Sequence, residues 1–172
     1  MGRAGQSAVL VLAQQEALAM DLQSFLDTMG ARYRLLRHSP AYTAQDLAAA
    51  EHISGHEVIK TVVIRADERF ILCALPACYR VDLEELAAQL QATHVQLVEE
   101  HRLPGLFPDC ELGAEPPIGR LYGISTLMDE SLVCDDCVTF QAGTHRDAIS
   151  MTLAEYRRLA QPEMAHFARP MM

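Results

Sequence analysis

Apolar residues recur at helical spacing through Leu18, Leu22, Phe25, Leu26 and Met29, and Gly30 stands where a C-terminal cap belongs; the pattern predicts a helix over 14–29. The stretch 33–38 reads as short and extended, stopped by Ser39-Pro40. Thr43 with Asp46 three residues on forms a capping box and predicts a short helix through Ala50. Two β-rich runs, 59–65 and 69–75, flank Ala66-Asp67-Glu68 as a hairpin. Asp82 and Glu85 open another helix, whose apolar stripe is Leu83, Leu86, Ala87 and Leu90. Short strands are expected at 95–98, 121–125, 138–141 and 148–151. Thr152 with Glu155 caps a last helix ending before Pro162. Helices and strands interleave without a βαβ rhythm or a Gly-rich phosphate loop, so the pattern predicts a mixed α+β fold.

Composition narrows this picture. A chain of 172 residues, half of them hydrophobic, suffices for one domain with a single core. A net charge of -9 and a pI near 5.2 oppose a tight, nonspecific grip on a polyanion. A nucleic-acid partner would need a local basic patch, a helper protein or only brief contact. The five cysteines follow no disulfide-scaffold spacing, and the apolar run 8–13 is too short for a signal or membrane segment, so a cytoplasmic protein with reduced thiols and no membrane attachment is expected. Cys134-Asp135-Asp136-Cys137 has the spacing of half a zinc site or of a redox pair. No second pair accompanies it, and the intervening aspartates would raise thiol pKa values, so no metal and no cofactor is expected.

The most unusual residue is Lys60. Thirteen of the fourteen basic residues are arginine, and the single lysine interrupts the run Val58-Ile59-Lys60-Thr61-Val62-Val63-Ile64. A compact ammonium with a tunable pKa cannot be replaced there by a planar guanidinium, although a lysine snorkelling from a strand end would look the same in sequence. Alternation puts Lys60, Val62 and Ile64 on one face of a central strand.

Two further segments could carry chemistry. The stretch 104–119 holds four prolines and three glycines, a long loop of the kind that is usually functional or mobile. Within it, Gly113-Ala114-Glu115-Pro116-Pro117-Ile118-Gly119 can present stiffened backbone groups to a small ligand, or serve as a rigid connection. Gly143-Thr144-His145 follows a predicted strand, and His145 could be a general base, a donor or a loop cap. His38, before Ser39-Pro40, carries the same ambiguity. His52, His56, His94, His101 and His166 lie in polar contexts and read as surface residues. The chain has no nucleophile elbow and no HExxH.

In order along the chain stand His38-Ser39-Pro40 with Thr43-Ala44, Val58 to Val63 around Lys60, Leu75-Pro76-Ala77 with Val81-Asp82-Leu83, Phe107-Pro108 to Gly119, Asp129-Glu130-Ser131-Leu132, and Phe140-Gln141-Ala142-Gly143-Thr144-His145. In this order and spacing the segments resemble the YbaK/EbsC family, free-standing relatives of the editing domain of bacterial prolyl-tRNA synthetases. The resemblance runs from about Tyr33 to Leu159. It implies a compact α+β domain with a curved, barrel-like sheet over 33–162, a helical extension over 1–32 packed on it, and a tail over 163–172.

The resemblance also implies hydrolysis, in trans, of the ester joining a small mischarged amino acid to tRNA, of the Cys-tRNA(Pro) or Ala-tRNA(Pro) type. A second, hydrolytic sieve is needed because a hydrophobic pocket separates ligands one methylene apart by only about 10–200-fold. Implied catalytic residues are Lys60, holding the terminal adenosine or positioning water, Gly113 and His145. Implied substrate-binding residues are His38, Thr43, Thr61, Ala114, Pro116, Pro117, Gly119, Gly143 and Thr144. The Gly113–Pro117 loop would frame the aminoacyl group, and the substrate's own ribose hydroxyl would assist without metal or covalent nucleophile. The implied partners are aminoacyl-tRNA, held transiently through its terminal adenosine, and prolyl-tRNA synthetase. Thr61 stands where alanine-clearing editors tend to have Asn, which points to a cysteine-clearing or broader type. The same pocket could instead belong to a binding module that recognises an aminoacyl or nucleotide-like ligand without hydrolysis.

Overall fold

A computed structural model describes residues 21–134 and 136–171. The first helix, α1 (Leu22–Thr28), starts at Asp21, whose extended backbone and side chain cap Ser24 N. Of the helix expected over 14–29, the segment 14–20, with Leu18, lies outside the described residues. Gly30, at φ +62°, closes the helix with Ala31 N bonded to Leu26 O at 2.9 Å. Then follow β1 (Arg34–Arg37), α2 (Ala44–Ala50) with the predicted Thr43–Asp46 capping box, and the hairpin β2 (Ile59–Ala66) and β3 (Arg69–Pro76). The hairpin turn is the pair Asp67-Glu68, with Asp67 at φ +52° and Ala66 already opposite Arg69.

A short strand, β4 (Tyr79–Val81), precedes α3 (Leu83–Leu90), which Asp82 caps by accepting from Glu85 N. Only Leu86 of the predicted stripe is fully buried; Leu83 and Leu90 pack partly against the core. After β5 (Val95–Leu97) and a single helical turn, α4 (Leu103–Leu106), come β6 (Ser125–Asp129), β7 (Cys137–Gln141), β8 (Asp147–Thr152), α5 (Leu153–Ala160), β9 (Glu163–Ala165) and β10 (Ala168–Pro170).

One expected strand is replaced. Over 121–125 the chain first makes a 3-10 turn, Gly119–Tyr122, closed by Gly123 at φ +68° with Ile124 N bonded to Gly119 O; pairing begins only at Ser125. Leu121 and Ile124 are buried in either conformation, so the apolar pattern could not separate a turn from a strand. The elements β4, β9 and β10 have three residues each, too few for a periodic signal.

The α+β reading holds, with the strands shared among three sheets. A mixed five-stranded sheet has the order β5-β2-β3-β6-β9, a three-stranded antiparallel sheet the order β1-β8-β7, and β10 pairs with β4. The sheets curve around their cores without closing into a barrel. The largest core joins Phe25 and Leu26 of α1 to Val138, Phe140, Ile149 and Met151 of the three-stranded sheet and to Tyr156 and Leu159 of α5. A second core lies under α3 and holds Ile64, Cys73, Leu75, Leu86 and Phe167.

The junction between the two larger sheets matters most for function. β2 is central, but its partner β5 reaches only Ile64–Ala66. At its other end, Val58 bridges in parallel to Thr139 of β7, with Thr139 N donating to Glu57 O at 2.9 Å. The backbone edge between these contacts is where the chain can hold a ligand.

Candidate active site

Antiparallel pairing alternates backbone groups between the two sides of a strand. Val63 O accepts from Val98 N, on the side away from β3. Thr61, two residues earlier, therefore turns its own N–H and C=O to that same side, beyond the reach of β5. A cleft of about 210 Å³ opens there. Ile59, Lys60 and Thr61 of β2 form one wall, Gly113 and Glu115 of the proline-glycine loop the other, and Thr43, Ala44 and Gln141 complete the lining.

Lys60 is half-buried, and its ammonium donates to Tyr79 O on β4, with Met171 Sδ 4.0 Å away. Burial pushes its pKa below the ordinary lysine value, and the nearby Cys78 thiol offsets this in part. None of the ion pairs among the described residues involves Lys60.

The opposite wall is held by a backbone clamp. Gly143 N donates to Ala114 O at 2.9 Å, Glu111 N to Gly143 O at 2.8 Å, and Ala114 N to Glu111 O at 2.9 Å. Gly113 (φ +89°) and Gly143 (φ +90°) both take left-handed conformations that glycine alone adopts without strain. The Glu115 carboxylate folds back to accept from Gly113 N at 3.1 Å and is only 7% exposed. Gln141 Nε2 donates to Ala41 O at 2.5 Å.

Of the residues that the resemblance points to, Thr43, Lys60, Thr61 and Gly113 come together in this cleft. The others stand behind it. His145 is outside the lining: its N donates to Glu111 Oε2 at 2.8 Å, its Nδ1 to Ala41 O at 3.2 Å, and its ring lies against Tyr42. The other ring nitrogen, Nε2, lies 3.9 Å from Glu111 Oε2. Ala114 is fully buried, and Pro117 O accepts from the buried Tyr156 hydroxyl at 2.7 Å. Pro116 faces a second cavity with Cys110, Tyr122 and Asp147. Gly119 is a packing glycine, since a Cβ there would meet Ile124 O at 2.3 Å. Thr144 closes its own turn with Asp147, Oγ1 to Oδ2 at 2.8 Å. His38 turns Nδ1 to Ser39 O at 2.6 Å, away from the cleft.

The five histidines read as surface residues are all exposed. The Cys134 side chain and Asp135 lie outside the described residues, so the Cys134–Cys137 pair has no structural account. Sequence reasoning passed over Ala44, Ile59, Glu115 and Gln141 as lining residues.

The arrangement sets the Thr61 backbone edge across from a stiff glycine loop, with Lys60 in the wall and its ammonium bonded to Tyr79 O. Residues 38–159 match the model of the aminoacyl-tRNA editing domain, which is most of the chain. The chain belongs to this family. As an editing domain it is a hydrolase of the ester that joins an amino acid to tRNA.

It is similar to the multifunctional Ser/Thr-tRNA deacylase ProXp-y of Escherichia coli K12, at 24% identity over 153 residues, 86% of this chain and 91% of the relative. The crystal structure of a hypothetical protein shares the fold with a TM-score of 0.79 at 18% identity, covering 86% of this chain and 99% of its own. A candidate trans-editing enzyme for prolyl-tRNA synthetase does so with a TM-score of 0.75 at 21% identity, covering 86% and 94%. The editing domain's α+β architecture is thus shared across these structures. Among the described residues no helix is long and apolar enough to cross a membrane.

Proposed function

We propose that this editing domain works in trans in the cytoplasm, releasing a small amino acid with a polar side chain, of the serine or threonine class, from mischarged tRNA. The observation that carries the reading is the joint lining of one cleft by Lys60, Thr61 and Gly113. Its volume of about 210 Å³ lies below the roughly 300–1,000 Å³ of sites for drug-sized ligands, which suits an aminoacyl group. Thr61 in the lining offers a hydroxyl to a side chain that forms hydrogen bonds, and the similarity to a Ser/Thr-tRNA deacylase supports the same class.

In this reading the Thr61 amide polarises the ester carbonyl, while Lys60 holds the ribose-phosphate end or the attacking water and stabilises the developing oxyanion. The Gly113 loop keeps the acyl group in place. Rate then comes from positioning and fixed donors, with the vicinal ribose hydroxyl assisting water. His145 and the residues behind the cleft act as positioning groups. The net charge of -9 makes autonomous capture of the tRNA body weak, which fits delivery of the substrate with the help of prolyl-tRNA synthetase.

Deacylation of Ser-, Thr-, Cys- and Ala-tRNA tests the proposal. Serine and threonine should be released at least about tenfold faster than alanine, because a site built around hydrogen bonds penalises a ligand that leaves them unmade. Faster release of alanine would overturn the substrate class. Failure to hydrolyse any of them, with the ligand still bound, would favour the non-catalytic binding module.

A further inference from the structure

Glu115 is a largely buried residue in the wall of the cleft, with no cation paired to its carboxylate among the described residues. One oxygen, Oε1, accepts from Gly113 N at 3.1 Å, and Oε2 has no hydrogen-bond partner among the described residues. None of the ion pairs among those residues involves Glu115. The titratable groups that feel its charge are Cys110 and Tyr122, which share a contact of 3.3 Å and cannot neutralise it. In the same lining, Gln141 spends its Nε2 on Ala41 O, and its Oε1 has no hydrogen-bond partner among the described residues.

Among the described residues the one buried side-chain polar atom without a partner is His38 Nε2, so the free oxygens of Glu115 and Gln141 are open to the cleft that both residues line. Two acceptor oxygens open to one cleft, one of them a carboxylate oxygen, suit a donor with a positive charge and more than one N–H. We infer that Glu115, assisted by Gln141, binds the α-ammonium of the aminoacyl group and makes the cleft selective for esters whose amine is free. This deepens the proposed deacylase function and rests on it for the identity of the ligand. An α-ammonium lies two bonds from the ester carbonyl carbon, so its capture by Glu115 would bring that carbonyl within the span between the loop and the Thr61 edge. The sign pattern also matches: acid for the ammonium, and donors with Lys60 for the oxyanion that develops next to it. Peptidyl and formylated esters lack the ammonium and would be refused.

Glu115→Gln is the informative substitution because the amide oxygen can still accept from Gly113 N and hold the loop. The probes are 3′-(L-seryl)amino-3′-deoxyadenosine, whose amide bond replaces the ester, and its N-acetyl form, with binding measured by calorimetry. The wild-type protein should bind the free-amine form at least about tenfold more tightly, as expected for a hydrogen bond to a charged group. In Glu115→Gln that preference should vanish, with the affinity for the N-acetyl form unchanged. A preference that survives the substitution, or an equal loss for both probes, overturns the inference, since a purely structural role would weaken both alike.

Hydrolysis of seryl-tRNA, measured beside this, separates the two readings. Turnover with an unaltered amine preference in Glu115→Gln removes Glu115 from the site and leaves the deacylase standing. Tight, Glu115-dependent binding without turnover of any aminoacyl-tRNA removes the deacylase and leaves the ammonium site standing.

Discussion

The ammonium of Lys60 donates to the main-chain carbonyl of Tyr79, tying the rim of the cleft to the short strand β4. Its burial lowers the lysine pKa from the ordinary 10.5, so the folded chain holds this proton less tightly than the unfolded chain does. Between the two values the unfolded state binds more protons, and stability therefore rises with pH across that window. The melting temperature of Lys60→Met minus that of the wild type should fall as pH approaches 10.5, whatever the loss of the bond to Tyr79 O costs at neutral pH. Thermal melts of both proteins at several pH values check this. A gap that widens with pH would mean that the lysine is stabilised by its surroundings.

Gly113 and Gly143 offer a paired test of the loop. Both have φ near +90°, so alanine at either should cost about 1–2 kcal/mol through backbone strain. Of the two only Gly113 lines the cleft, and a Cβ there would make ordinary contacts with Tyr42 O at 3.4 Å and the His145 ring at 3.6 Å, both outside the lining. Gly113→Ala should therefore lose far more turnover than Gly143→Ala at a similar loss of melting temperature. Equal losses of activity would reduce Gly113 to a structural glycine.

His145 is expected to matter less than Lys60. Its contacts to Glu111 and Ala41 join the loop to the segment before α2, and its imidazole stands behind Gly113. His145→Ala should raise KM more than it lowers kcat and leave the acid side of the pH–rate profile in place. A dominant loss in kcat, with an acidic limb abolished, would instead make it the general base.

Asp129 pins the C-terminal strands. The residue is 1% exposed; Oδ1 accepts from Phe167 N and Ala168 N, each at 2.8 Å, and Oδ2 from Ser131 N and Oγ. Asp129→Ala would leave these buried amides unpaired, at a cost on the order of 3 kcal/mol. Hydrogen exchange should show Phe167 and Ala168 losing protection first. Unchanged protection there would contradict the pinning role.

Legibility in the sequence followed the range of the interactions involved. The capping box at Thr43, the N-cap at Thr152 and the β2–β3 hairpin are local, and each could be read from a few neighbouring residues, although the Glu155 carboxylate expected to close a box at Thr152 accepts from Arg32 N and Arg158 instead. Lys60 stood out because it is the one lysine in a β-branched run. Glu115 did not: between Ala114 and Pro116 it reads as a solvated loop acid, and its burial follows from the clamp that Glu111 and Gly143 place on the loop from a distance. Gln141 was hidden for a related reason, since it is buried at the end of β7 by contact with Ala41, a hundred residues earlier. The strands β9 and β10 depend on β6 and on Asp129 and have no periodicity of their own.

The central claim is that the Lys60–Gly113 cleft hydrolyses the aminoacyl ester. Release of serine from mischarged seryl-tRNA by the wild type and by Lys60→Ala, with both proteins shown to be folded by their melting curves, tests it most directly. The account predicts turnover by the wild type and a loss of at least about a hundredfold in Lys60→Ala, with Lys60→Arg also impaired because a planar guanidinium cannot take the place of a compact ammonium. Equal rates for the wild type and Lys60→Ala would contradict it.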